Sequence, residues 1–303
     1  MKYIENDKNL KLRNTVVTLG KFDGIHIGHQ DLIDQVILYK KQGYKGVMFT
    51  FSYHPSNLVS KEEIKLIYTE EEKIEKVKSR GIDVLVSYPF TKETMSIEGE
   101  DFIKKVLIER LDAKYIVVGE DFRFGYKRRG DISLLKELED KFGYKTIVCE
   151  KKKWNNQVVS SSRIRSKLSE GKLRQVNSML GHPYSIHGEV KHGSKIARAL
   201  GMPTTNIIPN AEKFLPASGV YVSKAIIEGE SYPGVTYIGL KPTVGEANQR
   251  VVETFIFDFN QNLYGKKIGV ELYDFIRPEE KFDSVDKLKK AMERDTKKAK
   301  EYF

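Results

Sequence analysis

The sequence predicts an α/β region followed by a β-rich region. Through about residue 150, short apolar runs alternate with stretches whose apolar residues recur at intervals of three and four. From Tyr184 onward, the apolar runs are separated mainly by turn signals. The first pattern indicates a parallel sheet with helices on both faces. The second indicates a small antiparallel barrel or sandwich.

The first region contains regularly alternating elements. Strands are expected at 16–19, 46–51, 84–88, 115–119 and 145–149. Helices are expected at 29–39, 70–77, 102–111 and 132–138. Ligands of such sheets bind beyond the carboxyl ends of the strands, so functional residues are expected in the loops that follow.

The second region ends in a helix. Its strands are expected at 219–227, 232–240, 251–259 and 267–276. The final helix should be capped by Asp283 or Ser284, with Leu288, Met292 and Tyr302 among its apolar positions.

Short helical pieces at 162–180, closed by Gly181-His182-Pro183, should link the two regions. We therefore predict domains at 1–183 and 184–303.

Composition restricts the class of protein. The 303 residues are 40% hydrophobic, which is enough for two domains. No apolar run approaches the roughly 18 residues of a membrane-spanning helix, and the first residues lack the apolar core of a secretory signal. Cys149 is the only cysteine, so no disulfide can form within the chain. We expect a cytoplasmic protein without a membrane segment, in which Cys149 is buried and inert.

The charge leaves two classes of partner open. The formal net charge is +10, and a basic surface suits nucleic acid as well as small polyphosphates. The densest basic clusters are Lys127-Arg128-Arg129 and Lys151-Lys152-Lys153. Such runs are often only solvated surface, so charge alone does not identify the partner.

Residues 20–29, GKFDGIHIGH, are the most informative segment. They connect a predicted strand to a predicted helix, and they place His26 and His29 on one side of the first helical turn. Unpaired backbone N–H groups and the positive end of the helix dipole favour an anion there. Gly24 and Gly28 leave the backbone open to close approach. This segment predicts a polyphosphate site.

Three more polar clusters follow predicted strands. These are residues 50–55 with His54, residues 119–125 with Asp121 and Phe124, and residues 160–165 with several serines and Arg165. Each has a structural alternative: His54 precedes a proline in a turn, Phe124 could fill the core, and the serines could cap a helix. Their common position at one edge of the sheet favours a functional role.

The motifs resemble those of a known family. GKFDGIHIGH, VGEDFRFG at 118–125 and SSSRIR at 160–165 resemble the adenylyltransferase half of the bacterial bifunctional riboflavin kinase/FAD synthetase family. HGSKIARALGMPTTN at 192–206 resembles the riboflavin kinase signature, followed in family order by GVY at 219–221, GLKPT at 239–243 and Val252-Glu253. The resemblance covers nearly the whole chain.

The resemblance implies a fold and two reactions. The fold is α/β plus β: an N-terminal Rossmann-like nucleotidyltransferase parallel sheet, and a C-terminal small antiparallel β-barrel with a C-terminal helix. The C-terminal half would phosphorylate riboflavin to FMN with ATP and Mg²⁺. The N-terminal half would adenylylate FMN to FAD and release pyrophosphate. Riboflavin, FMN, FAD and ATP are the implied ligands.

The resemblance also implies roles for particular residues. The catalytic set is His26, His29, Arg165 and Glu253. ATP or its phosphates would contact Gly20, Phe22, Gly24, Gly28, Ser161, Ser162, Gly193, Arg198, Thr204 and Asn206, of which Thr204 and Asn206 would also bind the metal. The flavin would contact His54, Asp121, Phe124 and Phe255.

Glu253 also has independent support from the strand pattern. Alternation places it on the same strand face as Phe255 and Phe257, where a partly dehydrated carboxylate is suited to act as a general base. The alternative is a glutamate on an edge strand that extends into solvent. Ala197, Thr205 and Tyr53 depart from the usual family pattern, but none of them replaces a reacting group.

Three rival functions remain for comparison. A chain with one active half would lose one reaction. A tRNA synthetase or cytidylyltransferase would share the nucleotide site, but it would not explain the serine-rich Arg motif or the barrel. A nucleic-acid-binding protein would use the basic charge and exposed aromatic residues. We predict two active halves and no nucleic-acid partner.

Overall fold

The structure, a computed structural model, describes residues 1–7, 9–52, 65–192, 201–240 and 250–303. These residues form two compact units. The sheet unit takes in the described residues up to 52 and from 70 to 159, and the barrel unit takes in 65–69 and the described residues from 160 to 303. The predicted boundary between 183 and 184 stays a prediction.

The sheet unit is built on six parallel strands. They are β1 (Lys2–Glu5), β2 (Thr15–Leu19), β3 (Lys45–Ser52), β4 (Val84–Pro89), β5 (Ala113–Gly119) and β6 (Lys145–Cys149). Their order in the sheet is β1-β4-β3-β2-β5-β6. The sequence analysis missed β1, because this edge strand buries only Ile4 and so shows little apolar pattern.

Helices connect these strands. They are α1 (Ile27–Lys40), α2 (Glu70–Ser79), α3 (Lys92–Met95), α4 (Gly99–Phe102), a π-helix (Ile103–Ile108), a 3₁₀ turn (Tyr126–Arg128), α5 (Ile132–Glu137) and α6 (Glu139–Phe142). A two-stranded hairpin of β7 (Lys153–Trp154) and β8 (Gln157–Val158) follows β6. The single helix predicted at 102–111 is therefore an α-helical turn continued by a π-helix.

Both faces of the sheet are covered. All five residues of β2 are buried. Val17 and Leu19 belong to one apolar cluster, whereas Val16 belongs to the other, as alternation along a strand requires. This arrangement confirms the predicted parallel sheet with two covered faces.

The barrel unit begins with two helices and closes six antiparallel strands. The helices are α7 (Ser161–Ser169) and α8 (Leu173–Leu180). The strands are β9 (Tyr184–Lys191), β10 (Thr204–Ile207), β11 (Gly219–Ile227), β12 (Glu230–Leu240), β13 (Arg250–Ile256) and β14 (Lys267–Pro278). They close in the order β10-β13-β12-β11-β14-β9. The closed ring confirms a barrel rather than a sandwich.

Two details of the barrel differ from the prediction. Strands β9 and β10 were not predicted, because β10 has only four residues and Gly188 interrupts the apolar pattern of β9. Strand β13 ends at Ile256 rather than at 259. Asp258 adopts a φ of 51°, a left-handed conformation that cannot continue a strand.

The last helix, α9 (Val285–Tyr302), packs through small residues and a charge. Ser284 is its cap, accepting the Lys287 N–H at 3.3 Å. Its buried residues are Ala291, Asp295 and Ala299. The apolar positions predicted from the sequence are less buried: Leu288 and Met292 are half-buried and Tyr302 is exposed. The buried residues lie on the same face as the predicted apolar positions, since the two sets are spaced three and four residues apart along the helix. The predicted face is therefore correct, but its most buried members are small residues and Asp295.

An ion pair explains why α9 buries an aspartate. Arg277 of β14 donates to Asp295 from Nε at 3.0 Å and from Nη2 at 2.9 Å. The Asp295 side chain is only 5% exposed. Paired N–H donors of this kind match a carboxylate in geometry as well as charge.

Cys149 lies at the end of β6 and is buried, as predicted, and burial raises the pKa of its thiol. Across the described ranges, no helix is both long enough and apolar enough to cross a membrane.

Changing Asp295 to Ala should destabilise the barrel unit by about 3 kcal/mol, because Arg277 is left as a mostly buried charge without its carboxylate. Denaturant unfolding followed by circular dichroism measures this loss. Asp283→Ala is the matched control, because the Asp283–Lys287 pair is largely exposed and should be worth less than about 1 kcal/mol. Equal losses in the two variants would contradict the assignment.

Candidate active sites

Buried side chains hold the turn between β2 and α1. Phe22 and Ile25 are almost completely buried, yet they adopt positive φ angles of 49° and 43°. Such angles are strained for bulky and β-branched residues, so core packing must hold them in place. Gly24, between them, has a φ of 88°, which glycine adopts readily. The turn thereby presents the N-terminus of α1 at the carboxyl end of β2.

His26 and His29 form a stacked pair at that N-terminus. Their ring centroids lie 3.7 Å apart, with an angle of 16° between the planes. His26 is the cap of α1, and its Nδ1 accepts the His29 N–H at 3.4 Å. A Cβ on Gly28 would lie 3.3 Å from the His26 ring, so the absence of a side chain leaves room for the imidazole. The spacing predicted this pairing, but not the stacking.

Both imidazoles are neutral in this environment. Burial lowers the pKa of His26 to about 4. The pKa of His29 is held well below its usual value by burial, and secondarily by the nearby His26 and Lys73. The His29 Nδ1 is buried and has no hydrogen-bond partner among the described residues. A ligand could supply that partner.

Lys73, on α2, was missed by the sequence analysis. Its side chain is 2% exposed and donates to Glu70 at 2.8 Å. Most lysines lie on the surface. A lysine within the charged sequence EEEKIEKVKS therefore gives no indication that it is buried or functional. Its spacing of four from the buried Val77 could have placed it on the inner face.

The cluster after β5 is divided between surface and core. Asp121 is exposed and forms an ion pair with Lys151 at 3.2 Å. Phe124 is buried, with its ring 5.5 Å from Phe122 and 5.8 Å from Phe102. Its described contacts are therefore those of a core residue, and its predicted contact with a flavin stays a prediction.

The serine-rich motif opens α7 in the barrel unit. Ser160 caps this helix by accepting the Arg163 N–H at 3.3 Å. Ser161 and Ser162 occupy the first turn, and Arg165 follows on the next. The capping role considered for the serines thus applies to Ser160, whereas the phosphate-binding role of the other three residues stays a prediction.

Strand register brings the predicted kinase residues together. Asn206 of β10 pairs directly with Glu253 of β13, and Thr204 pairs with Phe255. Tyr237 of β12 is the neighbour of Glu253 on the other side. Directly paired residues share one face of a sheet, so all five side chains belong to one surface of the barrel wall.

The opposite face of β13 is filled in a different way. The hydroxyl groups of Thr254 and Thr236 lie 2.8 Å apart, and Thr236 donates to Ser223 at 2.7 Å. All three residues are fully buried. Alternation along β13 therefore separates an internally satisfied hydroxyl chain from the face that carries Glu253.

Asn206 has an unused acceptor. The residue is 4% exposed, and its Oδ1 has no hydrogen-bond partner among the described residues. Such a buried oxygen is costly unless something binds it. Among the described residues, no group of three or more His, Cys, Asp or Glu side chains could hold a metal. Neutral oxygens such as those of Asn206 and Thr204 suit a cation that keeps phosphate and water ligands.

A cavity of about 490 Å³ lies beside α9. It is lined by Met202, Glu293, Thr296, Lys297, Lys300 and Glu301. The Nζ of Lys300 is 5.3 Å from the ring of Phe257, which in turn packs edge-to-face on Phe255. The sequence analysis missed this cavity, because Met202, just before β10, meets α9 only after the barrel unit has folded.

Three predicted site residues lie outside the described residues. They are His54, Gly193 and Arg198. Their assigned roles stay predictions. Of the remaining phosphate-site residues, Gly20 and Phe22 both lie in the turn before α1, where a Cβ on Gly20 would be 3.1 Å from the Phe22 ring.

Two family models match the chain, one for each region. The model described as FAD synthetase matches residues 8–163. The model described as riboflavin kinase matches residues 180–303.

Full-length relatives give the same assignment. A bifunctional riboflavin kinase/FMN adenylyltransferase from Buchnera aphidicola subsp. Schizaphis graminum is 39% identical over 100% of this chain and 99% of its own length. The enzyme of the same name from Bacillus subtilis is 37% identical over 95% of this chain and 92% of its own length. The one from Escherichia coli K12 is 32% identical over 100% of this chain and 98% of its own length.

A solved structure has the same fold over the whole chain. It is named as a macrolide-efflux protein from Streptococcus pneumoniae and is 30% identical in sequence. The match covers 98% of this chain and 99% of that chain, with a TM-score of 0.86. Its title names a different activity, and here the structure serves only as evidence of fold. The two family models and the full-length relatives show that the chain belongs to the bifunctional riboflavin kinase/FMN adenylyltransferase family.

Proposed function

We propose that the barrel unit phosphorylates riboflavin to FMN and that the sheet unit adenylylates FMN to FAD. One observation carries this division: the two groups suited to act on phosphates lie in separate compact units. The stacked imidazoles belong to the sheet unit, and the Asn206–Glu253 pair belongs to the barrel unit. Riboflavin, FMN and ATP are the substrates, and FAD is the final product.

In the sheet unit, an FMN phosphate oxygen attacks the α-phosphorus of ATP, and the bond to pyrophosphate breaks. Negative charge builds up on the leaving oxygens. The first N–H groups of α1 and the helix dipole stabilise that charge without needing to reorganise. The imidazoles sit at the same helix end, where they can donate hydrogen bonds to the phosphates.

The hydrogen bond at His26 determines which nitrogen can act on the ligand. Because Nδ1 accepts the His29 N–H, we place the proton of the neutral ring on Nε2. Nε2–H is then a donor available to a phosphate oxygen. A fixed neutral donor gives directional recognition even without a full positive charge.

Other residues complete this site by family resemblance. We propose that Gly20, Phe22, Gly24 and Gly28 of the turn contact the ATP phosphates. By the same resemblance, Ser161, Ser162 and Arg165 of α7 are expected to bind a triphosphate. His54, Asp121 and Phe124 would contact the flavin.

In the barrel unit, Glu253 accepts the proton of the ribityl 5′-hydroxyl. The oxygen of that hydroxyl attacks the γ-phosphorus of ATP, and ADP leaves. The cross-strand partner of Glu253, Asn206, is positioned to hold the phosphate end of ATP through a metal ion. We propose Mg²⁺ as that ion, with Thr204 and Asn206 as its protein ligands, and with Gly193 and Arg198 on the phosphates. Bound there, Mg²⁺ would neutralise phosphate charge.

The cavity beside α9 is suited to the flavin ring. Its volume of about 490 Å³ lies within the usual range for small-molecule sites. Phe255 lies on the same strand face as Glu253, and we propose that the ribityl chain of a flavin bound beside α9 extends along this face to the base.

Incubation with riboflavin, ATP and Mg²⁺, followed by chromatography of the flavins, tests both steps. FMN should form first and FAD afterwards. We propose that the enzyme works in the cytoplasm, where ATP is abundant, and that it has no nucleic-acid partner. A preparation that is folded but forms neither FMN nor FAD would overturn the proposal.

Changing His29 to Ala and His26 to Asn, which keeps a capping side chain on α1, should lower FAD formation from FMN by at least about a hundredfold. The reason is the loss of both phosphate donors. FMN formation from riboflavin should stay within about twofold, because Glu253 and Asn206 are untouched. Equal loss of both reactions in a folded variant would contradict the division of labour.

Glu253→Gln should have the reverse effect. The amide is nearly the same size but cannot accept the proton, so FMN formation should fall by about 10²- to 10⁴-fold. Conversion of supplied FMN to FAD by the same preparation is the internal control and should be unchanged. If kinase activity survives at near the wild-type rate, Glu253 is not the base.

The buried His26 predicts a pH dependence of stability. Unfolded His26 binds a proton below about pH 6.5, whereas the folded residue resists protonation until about pH 4. Since the unfolded state binds more protons between these values, stability falls as the pH is lowered through this window. The free energy of unfolding should drop by about 2 kcal/mol from this residue between pH 7 and pH 5.

His26→Asn removes the titrating group and should make the fall between pH 7 and pH 5 correspondingly smaller. Urea unfolding at both pH values measures the difference. The comparison at pH 7 isolates any loss of packing caused by the substitution itself. An unchanged pH slope in the variant would show that His26 is not held neutral.

A further inference from the structure

The basic cluster Lys151-Lys152-Lys153 is a feature of the sequence that the proposed function leaves unassigned. It follows β6 and leads into the hairpin of β7 and β8, all within the sheet unit. From the sequence, such a run could be solvated surface or a site for a polyanion. The structure distinguishes the three lysines, because the side chains of Lys151 and Lys152 form ion pairs with carboxylates of other segments.

Lys152 forms its ion pair with α1. Its Nζ lies 3.1 Å from Oδ1 of Asp31, and the two side chains are 47% and 28% exposed. Strand β6 lies two places from β2 in the sheet. Because neighbouring strands are about 4.8 Å apart, the ion pair spans roughly 10 Å, from the loop after β6 to the helix that follows β2. A cation from the edge of the sheet is thereby brought to α1.

The carboxylate of Asp31 lies close to the N-terminus of α1. Asp31 comes four residues after Ile27, the first residue of the helix, so the two side chains are neighbours on the helix surface. Helical side chains lean towards the N-terminus. The carboxylate therefore lies beside the first turn of α1, and the ammonium group that it binds lies there too.

That first turn has donors that an anion would satisfy. The first hydrogen bond within the helix runs from the Gln30 N–H to the His26 carbonyl at 2.9 Å, so the N–H groups of Ile27 and Gly28 have no acceptor inside the helix. The buried Nδ1 of His29 also has no hydrogen-bond partner among the described residues. These groups and Lys152 lie at the same end of α1, where a polyphosphate is favoured.

The position of Lys152 is unfavourable without an anion. The N-terminus of a helix carries partial positive charge, which repels a cation. Asp31 offsets that repulsion, but an exposed ion pair of this kind contributes little to stability. Binding of an anionic ligand therefore explains a lysine at this place better than stabilisation of the fold does.

The backbone around Lys152 is fixed on both sides. The Lys151 N–H donates to Oε1 of Glu120 at 3.4 Å, and the Lys151 side chain pairs with Asp121 at 3.2 Å. The Val159 N–H donates to the Lys152 carbonyl at 2.9 Å. Because this segment is already ordered, less conformational freedom is lost when Lys152 binds a ligand.

We propose that Lys152 binds the β- and γ-phosphates of ATP at the N-terminus of α1 and stabilises pyrophosphate as it leaves. When ATP binds, the ammonium group exchanges the Asp31 carboxylate for phosphate oxygens. The electron pair of the broken P–O bond leaves with pyrophosphate, and Lys152 keeps its proton throughout while it neutralises part of that charge. The proposal rests on the proposed assignment of adenylyl transfer to the sheet unit.

The test is Lys152→Met in the full chain, assayed for FAD formation from FMN with ATP and Mg²⁺. We expect kcat/KM for ATP to fall at least about tenfold, because a hydrogen bond between charged groups is lost. KM for FMN should stay within about twofold. Inhibition by added pyrophosphate should weaken by about the same factor as kcat/KM for ATP. FMN formation from riboflavin in the same preparation is the internal control and should be unchanged.

Two further substitutions serve as controls. Lys153→Met removes the same charge from the neighbouring residue, which is exposed at the start of β7, and it should leave both reactions within about twofold. Lys152→Arg keeps the positive charge and should retain most of the activity that Lys152→Met loses. Equal losses in Lys152→Met and Lys153→Met would show that only net charge matters and would overturn the proposal.

A double variant separates contact from neutralisation. Lys152→Met leaves Asp31 without its cation, so repulsion between Asp31 and the phosphates could account for the loss. Asp31→Asn combined with Lys152→Met has neither charge. If Lys152 binds the phosphates, the double variant should still be at least about fivefold below wild type in kcat/KM for ATP. Recovery to the wild-type value would show that Lys152 only neutralises Asp31 and would overturn the proposal.

The remaining outcomes are also decisive. An unchanged kcat/KM for ATP in Lys152→Met, or a rise in KM for FMN alone, overturns the proposal. Failure of the proposed function would look different, because the wild-type chain would then form no FAD or the His26 and His29 changes would leave FAD formation intact. Failure of the Lys152 proposal alone would leave both of those results in place.

Discussion

The complete burial of β2 is the constraint on which the sheet unit depends. Every residue from Thr15 to Leu19 is buried, because both faces of this central strand are covered. No polar site can therefore form along the strand itself. Reactive groups can appear only where the strand ends. The turn that follows is held by Phe22 and Ile25 in strained conformations, and the same core that buries β2 restrains them.

The position of the histidine pair follows from this constraint. Because the turn is fixed, α1 begins at a defined point, and its cap is a histidine rather than the usual serine, threonine or aspartate. His26 therefore satisfies a backbone donor of α1 through Nδ1, and in the proposed function its other ring nitrogen is the one that acts on the ligand. The stacked His29 brings a second imidazole to the same helix end.

The barrel unit positions its predicted site residues by strand register rather than at the end of a helix. A shift of one residue between β10 and β13 would move Asn206 away from Glu253 and bring Thr254 to the site face. The hydroxyl chain of Thr254, Thr236 and Ser223 would then lose its partners. The buried hydroxyls and the site face therefore favour the same register.

Local spacing was enough to predict some of these features, while others depend on long-range packing. The distance of three residues between His26 and His29 fixes their common side on any helix. By contrast, Asn206 and Glu253 were each predicted from a motif, but not as neighbours. They come together only because β10 pairs with β13, which lies 47 positions later in the sequence. The buried face of α9 was predicted from its apolar spacing, but the burial of Asp295 on that face was not, because Asp295 is buried for its partner Arg277 and not for its hydrophobicity. The pairing of Leu66 with Lys213 has no local sequence signal, because the two residues lie far apart in the chain.

Electrostatics explains why a chain with a net charge of +10 keeps two neutral imidazoles at the N-terminus of α1. Burial disfavours a charge on either ring, and for His29 the nearby His26, with its ring centroid 3.7 Å away, adds to this effect, so both rings are neutral. A triphosphate in the proposed site would act in the opposite direction, because a nearby anion favours the charged form of an imidazole. The neutral Nε2–H that we propose for His26 offers a phosphate oxygen a directional hydrogen bond without a permanent charge on the ring.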